Sequence, residues 1–400
     1  MSVPSPSEEP AVGAVRLNLR IASAVVFNFA NYLNVGLPLA VLPGYVHDTL
    51  GYNTFWTGLV ISLQYFSTLL SRPHAGRCAD EKGPKKVVVW GLTGTLLSGL
   101  FYLLAAWGEA SPLMALLLLF LGRLVLGIGQ SFAGTGATLW GVGMVGSRHI
   151  GRVISWNGVA TYGAMAIGAP LGVWLNHIGG LTLLSGFIIL VAAVAIACAL
   201  PRSEVKVSPG KKIPFREVLG KVWMYGIILA LASSGFGVIG TFITLFYADK
   251  SWDGAALTLT IFSCAFVGTR LLFPNSINRF GGLRVAMACF VVEITGLLLI
   301  WGATQPLMAE LGTFFSGAGF SLVFPALGVV AVNGVSPQNQ GSALATYTIF
   351  LDLSLGVVGP VAGLLMGYAG IASIYLAAAM LGIVGLLLTL RLGRRTVTPE

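Results

Sequence analysis

Charge is scarce in this sequence. Of its 400 residues only 9% are charged and 56% are hydrophobic, whereas a soluble globular domain carries about a quarter charged residues. That excludes an ordinary soluble fold and indicates a chain made for lipid. Cysteine is scarce too. Cys78, Cys198, Cys264 and Cys289 are scattered and form no Cys-x-x-Cys pair, so they read as small apolar residues and not as a disulfide framework. The histidines His47, His74, His149 and His177 fall near predicted helix ends without a ligand pair, and no metal is expected. Missing as well are Gly-x-x-x-x-Gly-Lys-Ser/Thr, His-Glu-x-x-His and Gly-x-Ser-x-Gly. ATP hydrolysis and membrane-enzyme chemistry thus have no visible site, and no cofactor is expected. Nor is there the alternation that marks membrane-barrel strands of about 10 residues.

What the chain has is long apolar runs, such as IASAVVFNFANYLNVGLPLAVLPG and YLAAAMLGIVGLLLTL. A helix crossing the roughly 30 Å hydrocarbon layer needs about 20 such residues. Twelve segments reach that size: 20–46, 54–74, 86–107, 112–145, 150–175 and 181–200, then 222–247, 255–275, 285–303, 307–334, 341–366 and 372–390. The expected fold is an all-α, multi-pass protein of the lipid bilayer. The first run exceeds a signal-peptide core of about 7–15 residues and no small-residue cleavage site follows it, so it reads as a retained span. The Pro- and Ser-rich residues 1–15 read as a disordered lead.

The net charge of +9 follows topology. One side collects Arg16, Arg20, Arg77, Lys82, Lys85, Lys86, Arg148, Arg152, the 202–221 loop and the 391–395 tail, and the other holds Lys250. Basic residues gather in cytoplasmic loops because they resist translocation. Both termini are therefore expected in the cytoplasm, and no nucleic-acid partner is expected.

The polar stretch PRSEVKVSPGKKIPFRE, 201–217, lies midway. It divides the chain into a bundle over 1–200, a cytoplasmic linker over 201–217 and a bundle over 218–400. Adding 190 carries Gly127, Gly129, Ser131, Gly151 and Pro170 onto Gly317, Gly319, Ser321, Gly341 and Pro360; adding 198 carries Arg72 and Gly83 onto Arg270 and Gly281. Two related six-helix halves are the mark of secondary transporters, which hold substrate between repeats and rock them around it.

Between the second and third spans, RPHAGRCADEKGPKKVVVWG sets Gly76, Asp80, Gly83, Lys85 and Lys86 at spacings that resemble the signature loop of the major facilitator superfamily. Glu81 stands where that loop has a base. A glycine lets helices approach closely and an aspartate accepts from a helix start or a basic side chain. With Arg72 and its counterpart Arg270, the cluster would latch the two halves. In the fourth span, Arg123, Gly127 and Gly129 resemble the superfamily's arginine motif, which implies a role for Arg123 in proton coupling and substrate contact. The alternative is an arginine bonded to backbone carbonyls for packing. In the fifth span Gly168, Pro170 and Gly172 partly match the bend motif of drug–proton antiporters. Gly359, Pro360 and Gly363 match it better in the eleventh. Both sets read as bends sealing the halves together.

Asp352 stands alone in TYTIFLDLSLGVVGPVAGLLMG, near mid-membrane. A carboxyl taken out of water holds its proton more tightly, and a cation beside it releases the proton. An acid that trades between the two states suits a proton-coupled carrier, and intramembrane acids are functional by default. A structural hydrogen bond, for example through Tyr347, is the other reading. Glu293 is the second candidate, structural or lipid-adjacent as readily as coupling. Asn28, Asn31 and Tyr32 share a helical face. Gln64, Tyr65, Gln130, Trp156, Asn157 and Tyr162 add amides and rings, a mixture that suits a cavity for a partly apolar, hydrogen-bonding molecule or serves to tie helices together. Phe236, with Phe242 and Phe266, could line the opposite wall.

The whole chain resembles a twelve-span major facilitator. NFANYLNVGLPLAVLPGYVHD, LLSRPHAGRCAD, GIGQSFAGTGATLWGVG and GFSLVFPALGVVAV resemble its YhhS-type branch of bacterial inner-membrane transporters. The resemblance implies an efflux carrier and says little about the cargo. The buried Asp352 and Arg123, with the partial antiporter bend, point to a proton-coupled antiporter exporting small organic molecules, expected to be a monomer. A symporter or uniporter importing a sugar or other metabolite is the alternative, and a receptor on a transporter fold is a third.

Overall fold

Residues 11–109, 111–146, 149–205, 215–273, 275–333 and 340–397 are described by a computed structural model. Among them every long element is helical. They are α1 Ala11–Leu39, α2 Thr54–Lys82, α3 Pro84–Trp107 and α4 Pro112–Val145. Next comes Ile150–Ala199, which breaks at Gly179 and Gly180 into α5, 150–178, and α6, 181–199. The second half holds α7 Phe215–Asp249, α8 Ala255–Leu272, α9 Gly282–Trp301, α10 Pro306–Asn333, α11 Gln340–Ala369 and α12 Ser373–Val397. Ten stretches among the described residues are long and apolar enough to cross a membrane. One of them contains both α5 and α6, and α2, whose Arg72, Arg77, Asp80, Glu81 and Lys82 dilute its apolar character, packs in the same bundle. Twelve spans result.

Two boundaries differ from expectation. Residues 11–15 are helical and extend α1 into the anticipated disordered lead; residues 1–10 lie outside the described residues. The anticipated linker gives up its last residues to α7, which starts at Phe215. Residues 206–214, like Arg148, lie outside the described residues. The first span also ends early. Proline fixes φ and cannot donate a backbone hydrogen bond, and after Pro38 and Pro43 the chain turns through Leu42–Gly44 and the π-helical Tyr45–Thr49.

The halves repeat each other in detail. A Cβ on Gly129 would strike the Gly91 carbonyl oxygen at 2.7 Å, and one on Gly319 the Cys289 carbonyl oxygen at 2.7 Å. These are the same α3–α4 and α9–α10 contacts, displaced by 190 and 198 residues. Gly83 and Gly281 open α3 and α9 at φ of 88° and 86°, a conformation that side-chain-bearing residues rarely adopt. Within each half α1–α5, α3–α4 and α2–α4 recur as α7–α11, α9–α10 and α8–α10. Between halves, α2 packs along α11 and α5 along α8. Those two seams position the site.

Candidate substrate and coupling site

Along the first seam α2 and α11 run antiparallel. Gly58 and Gly359 press backbone to backbone with no room for a Cβ on either. Near the end remote from the linker, Thr54 Oγ1 donates to the Gly363 carbonyl at 2.8 Å. One turn deeper than Gly58, Ser62 Oγ donates to the Leu355 carbonyl at 3.1 Å. The far side of this seam is shut by backbone contact.

Toward the linker side the same seam carries charge. Arg72 donates from Nε to Asp352 Oδ2, and from Nη2 to Oδ1 at 3.0 Å. The planar guanidinium meets the carboxylate at two points, the strongest form of such a pair. Asp352 is 1% exposed, and the Arg72 side chain keeps 23% of its surface. The partner of Asp352 is therefore Arg72, not Arg123 or Tyr347. Tyr347 donates to the Phe324 carbonyl at 3.1 Å within the second half.

Arg123 is wholly buried on α4. Its Nε donates to the Val60 carbonyl at 3.2 Å and its Nη2 to Ile61's at 3.1 Å. Helix carbonyls keep a second lone pair, and these two take up much of the charge, while Nη1 has no acceptor among the described residues. Glu293 is also buried, at 1%. It faces inward against Gly235 of α7 and Gly319 of α10, not toward lipid. Its Oε2 has no partner among the described residues.

The amides gather inside the first half. Gln64 Nε2 donates to Gln130 Oε1 at 2.5 Å, and Gln130 Nε2 donates to the Tyr32 hydroxyl at 3.0 Å. Asn28 Nδ2 donates to Thr161 Oγ1 at 3.0 Å, Asn157 Nδ2 to Thr138 Oγ1 at 3.0 Å, and Thr95 Oγ1 to Asn31 Oδ1 at 3.2 Å. Several polar atoms have no partner among the described residues, including Asn28 Oδ1, Gln64 Oε1 and Asn157 Oδ1. Buried polar groups are costly when unpaired. Tyr65 is buried beside Gln64, and Trp156 reaches the end of α1, donating to Asn18 Oδ1 at 3.4 Å.

The second half supplies rings. Phe236 stacks on Phe262 at 5.4 Å and on Phe320 at 5.9 Å, and Tyr162 crosses from α5 to stack on Phe266 at 3.5 Å between centroids. Phe242 is buried against α2, beside Gly58. Polar amides thus gather in the first half and aromatic rings in the second, with Tyr162 of α5 joining the rings.

The anticipated latch and bends divide differently from expectation. Lys85 donates to the Leu200 carbonyl at 2.7 Å and Lys86 lies 3.9 Å from Glu204, so both tie α3 to the end of α6 in the same half. Asp80 lies at the end of α2. Gly76 has open space around it and mediates no close approach. Arg72 reaches the other half through Asp352, and Arg270 does so by lying against Gly158 of α5. Gly359 and Gly363, flanking Pro360, seal across the halves, whereas Gly168 and Gly172, flanking Pro170, pack on Gly36 and Leu37 of α1 in their own half. The cross-seam contact of α5 lies on another face, where Thr260 Oγ1 donates to the Ala166 carbonyl at 2.9 Å.

Sequence reasoning missed the Arg72–Asp352 pair, although the 198-residue match of Arg72 to Arg270 marked both arginines. Ser62, Thr95, Thr138, Thr161, Phe262 and Phe320 carried no local signal.

Comparison with known proteins agrees with this architecture. The Major Facilitator Superfamily profile matches residues 24–276. The MFS-type transporter YhhS of Escherichia coli (strain K12) is 69% identical over 98% of this chain and 97% of its own. Its counterpart in Salmonella enteritidis is 67% identical over the same shares. Two solved structures share the fold: the human organic anion transporter MFSD10 and the nucleoside transporter NupG, the latter solved as a mutant. Each has a TM-score of 0.73 over 93% of this chain and 99% of its own, with 17% and 16% identity.

Proposed function

The chain belongs to the major facilitator superfamily and is a secondary transporter of a small molecule, not an enzyme; from that premise we propose proton-coupled export of small organic molecules by alternating access. The observation that carries the reading is the bridge between Arg72 and Asp352, one residue from each half. A guanidinium and a carboxylate joined across a seam hold the halves together while both are charged. A proton on Asp352 weakens the tie and lets the seam open, and deprotonation restores it. The bilayer location favours such an exchange, because an unpaired charge there is expensive and one partner must always be found.

Arg123 acts as a positioning residue in this scheme. It fixes α4 against α2 through the Val60 and Ile61 carbonyls and leaves Nη1 for water or substrate. Glu293 has no cation beside it among the described residues and lies within one half, so coupling is assigned to Asp352. The amide wall of the first half and the ring wall of the second receive the cargo. The chain works as a monomer in the bacterial inner membrane, termini in the cytoplasm, with the sealed ends of α2 and α11 toward the outside.

The test is direct. Protein reconstituted into vesicles loaded with a pH dye is given compounds that raise its thermal stability in a metabolite and antibiotic screen. Export by antiport predicts proton movement opposite to substrate movement and lower accumulation of the compound in intact cells that make the protein. Proton movement in the same direction as substrate, with higher accumulation, establishes import instead. No proton movement with any stabilising compound rejects coupling.

A further inference from the structure

The repeat that pairs Arg72 with Asp352 leaves its second copy unpaired. Residue 72 corresponds to 270 at the offset of 198, and residue 352 corresponds to 162 at the offset of 190. The α8–α5 seam thus places Arg270 opposite Tyr162, where the α2–α11 seam places Arg72 opposite Asp352. One seam has a built-in anion and the other has a neutral ring. Arg270 donates from Nε and Nη2 to the single Ser321 carbonyl at 3.3 Å each. Its guanidinium lies 4.8 Å from the centroid of Phe266. Its Nη1 is directed at Gly158, which has no room for a Cβ there, and finds no acceptor among the described residues. No carboxylate among the described residues partners Arg270, and the side chain is partly exposed.

A guanidinium inside a bilayer span is expensive unless an anion or water answers it. Water alone could do so anywhere, but here the Phe266 ring faces the charge. Phe266, Tyr162, Phe236 and Phe320 form a connected cluster beside it, stacked in two contacts, edge-on in one and tilted in another. These rings are buried against one another here, Phe266 and Phe320 at 1% exposure. Once the α5–α8 seam parts, their faces beside a cation that has no carboxylate among the described residues are complementary to a molecule with a ring at one end and an oxyanion at the other. We propose that Arg270 binds the anionic group of the transported molecule, which is an organic anion with an aromatic body lying on the ring wall of the second half. The proposal rests on the transporter reading and names its substrate class. Each half then brings one arginine to a seam. Arg72 is answered by the protein's own carboxylate, and Arg270 by the cargo's.

Binding is measured on purified full-length protein in detergent, without any gradient, by thermal shift and by calorimetry. The probes are 4-phenylbutyrate, 4-phenylbutylphosphonate, the neutral 4-phenylbutyramide and the cationic 4-phenylbutylamine. The expected result is stabilisation by the two anions and not by the amide or the amine. Arg270→Gln is expected to weaken the anions roughly ten- to a hundredfold, the worth of a hydrogen bond to a charged group, and Arg270→Lys to retain part of the affinity. If Arg270→Gln does not fold, Gly158→Ala provides the second variant. Its methyl group displaces Nη1 and is expected to weaken the anions without affecting any binding of the amide. Equal stabilisation by anion and amide overturns the proposal. So does the absence of any anion-dependent shift, or undiminished anion binding by Arg270→Gln. Because no proton gradient is present, anion binding with failed proton flux condemns only the coupling reading.

Discussion

Replacing Asp352 by Asn removes the charge that Arg72 meets and leaves a guanidinium unanswered inside the seam. Breaking one side of a buried ion pair costs more than the pair contributes. Because the Arg72 side chain keeps 23% exposure, the expected loss is about 3 kcal/mol, the lower end of the range for buried pairs. Arg72→Gln should cost less, since a neutral carboxyl is tolerated better than a bare cation. The double variant Arg72→Gln/Asp352→Asn should recover part of the loss, and denaturation of the four proteins measures the coupling. Glu293→Gln makes a contrast. That carboxyl has no cation beside it among the described residues, so the change should shift stability by under about 1 kcal/mol and leave substrate-driven proton flux intact, as read in dye-loaded vesicles. Asp352 stood out in the sequence because a lone acid in an apolar run is rare. Its partner did not: 280 residues separate Arg72 from Asp352, and nothing local encodes which of the arginines within the spans, Arg72, Arg123 or Arg270, a distant carboxylate will face. Arg123 resembled a coupling residue by motif, yet it meets two carbonyls whose second lone pairs leave no trace in a sequence.

At the scale of helices, the α2–α11 seam depends on glycine where backbones touch. Gly359→Val places a branched side chain against the Gly58 carbonyl and Ser62 Oγ. Overpacking of this kind costs about 1–3 kcal/mol, and the strain falls only on states in which the far side is shut. The population should therefore shift toward a far-side-open form. Ser62, 1% exposed, is the reporter: Ser62→Cys in a background without other cysteines should react several-fold faster with a membrane-impermeant maleimide once Gly359→Val is added. Unchanged labelling means that the seam does not gate access. Helix existence was legible because apolar runs of bilayer length have one economical structure. The break at Gly179–Gly180 fell between two predicted spans for the same reason. Boundaries were less legible: α7 opens on Phe-Arg-Glu and so resembled linker, while Ala11–Val15 is a short stretch with a glycine that follows Pro- and Ser-rich residues and so resembled lead. The bend motifs were found in both halves, but which helix each glycine faces depends on packing that spacing does not record.

For the molecule as a whole, the duplication was visible as constant offsets between glycines, and two of those pairs, Gly127 with Gly317 and Gly129 with Gly319, make equivalent contacts. What the offsets could not reveal is where the halves stopped matching. Asp352 and Tyr162 stand at equivalent places, so the two seams are chemically different, and the proposed cycle assigns coupling to one and cargo to the other. Sidedness is open to a simple check. A fluorescent protein fused after residue 400 should fluoresce, since it folds in the cytoplasm, while alkaline phosphatase inserted after Lys250 should be active only if that loop faces the periplasm.

The central claim is that Asp352 exchanges Arg72 for a proton in every transport cycle. Wild type and Asp352→Asn, reconstituted in the same vesicles, are compared for substrate-driven proton flux and for equilibrium exchange of labelled substrate. Exchange moves no net proton, so the variant should keep exchange and lose the flux. A variant that still drives protons at the wild-type rate would contradict the claim.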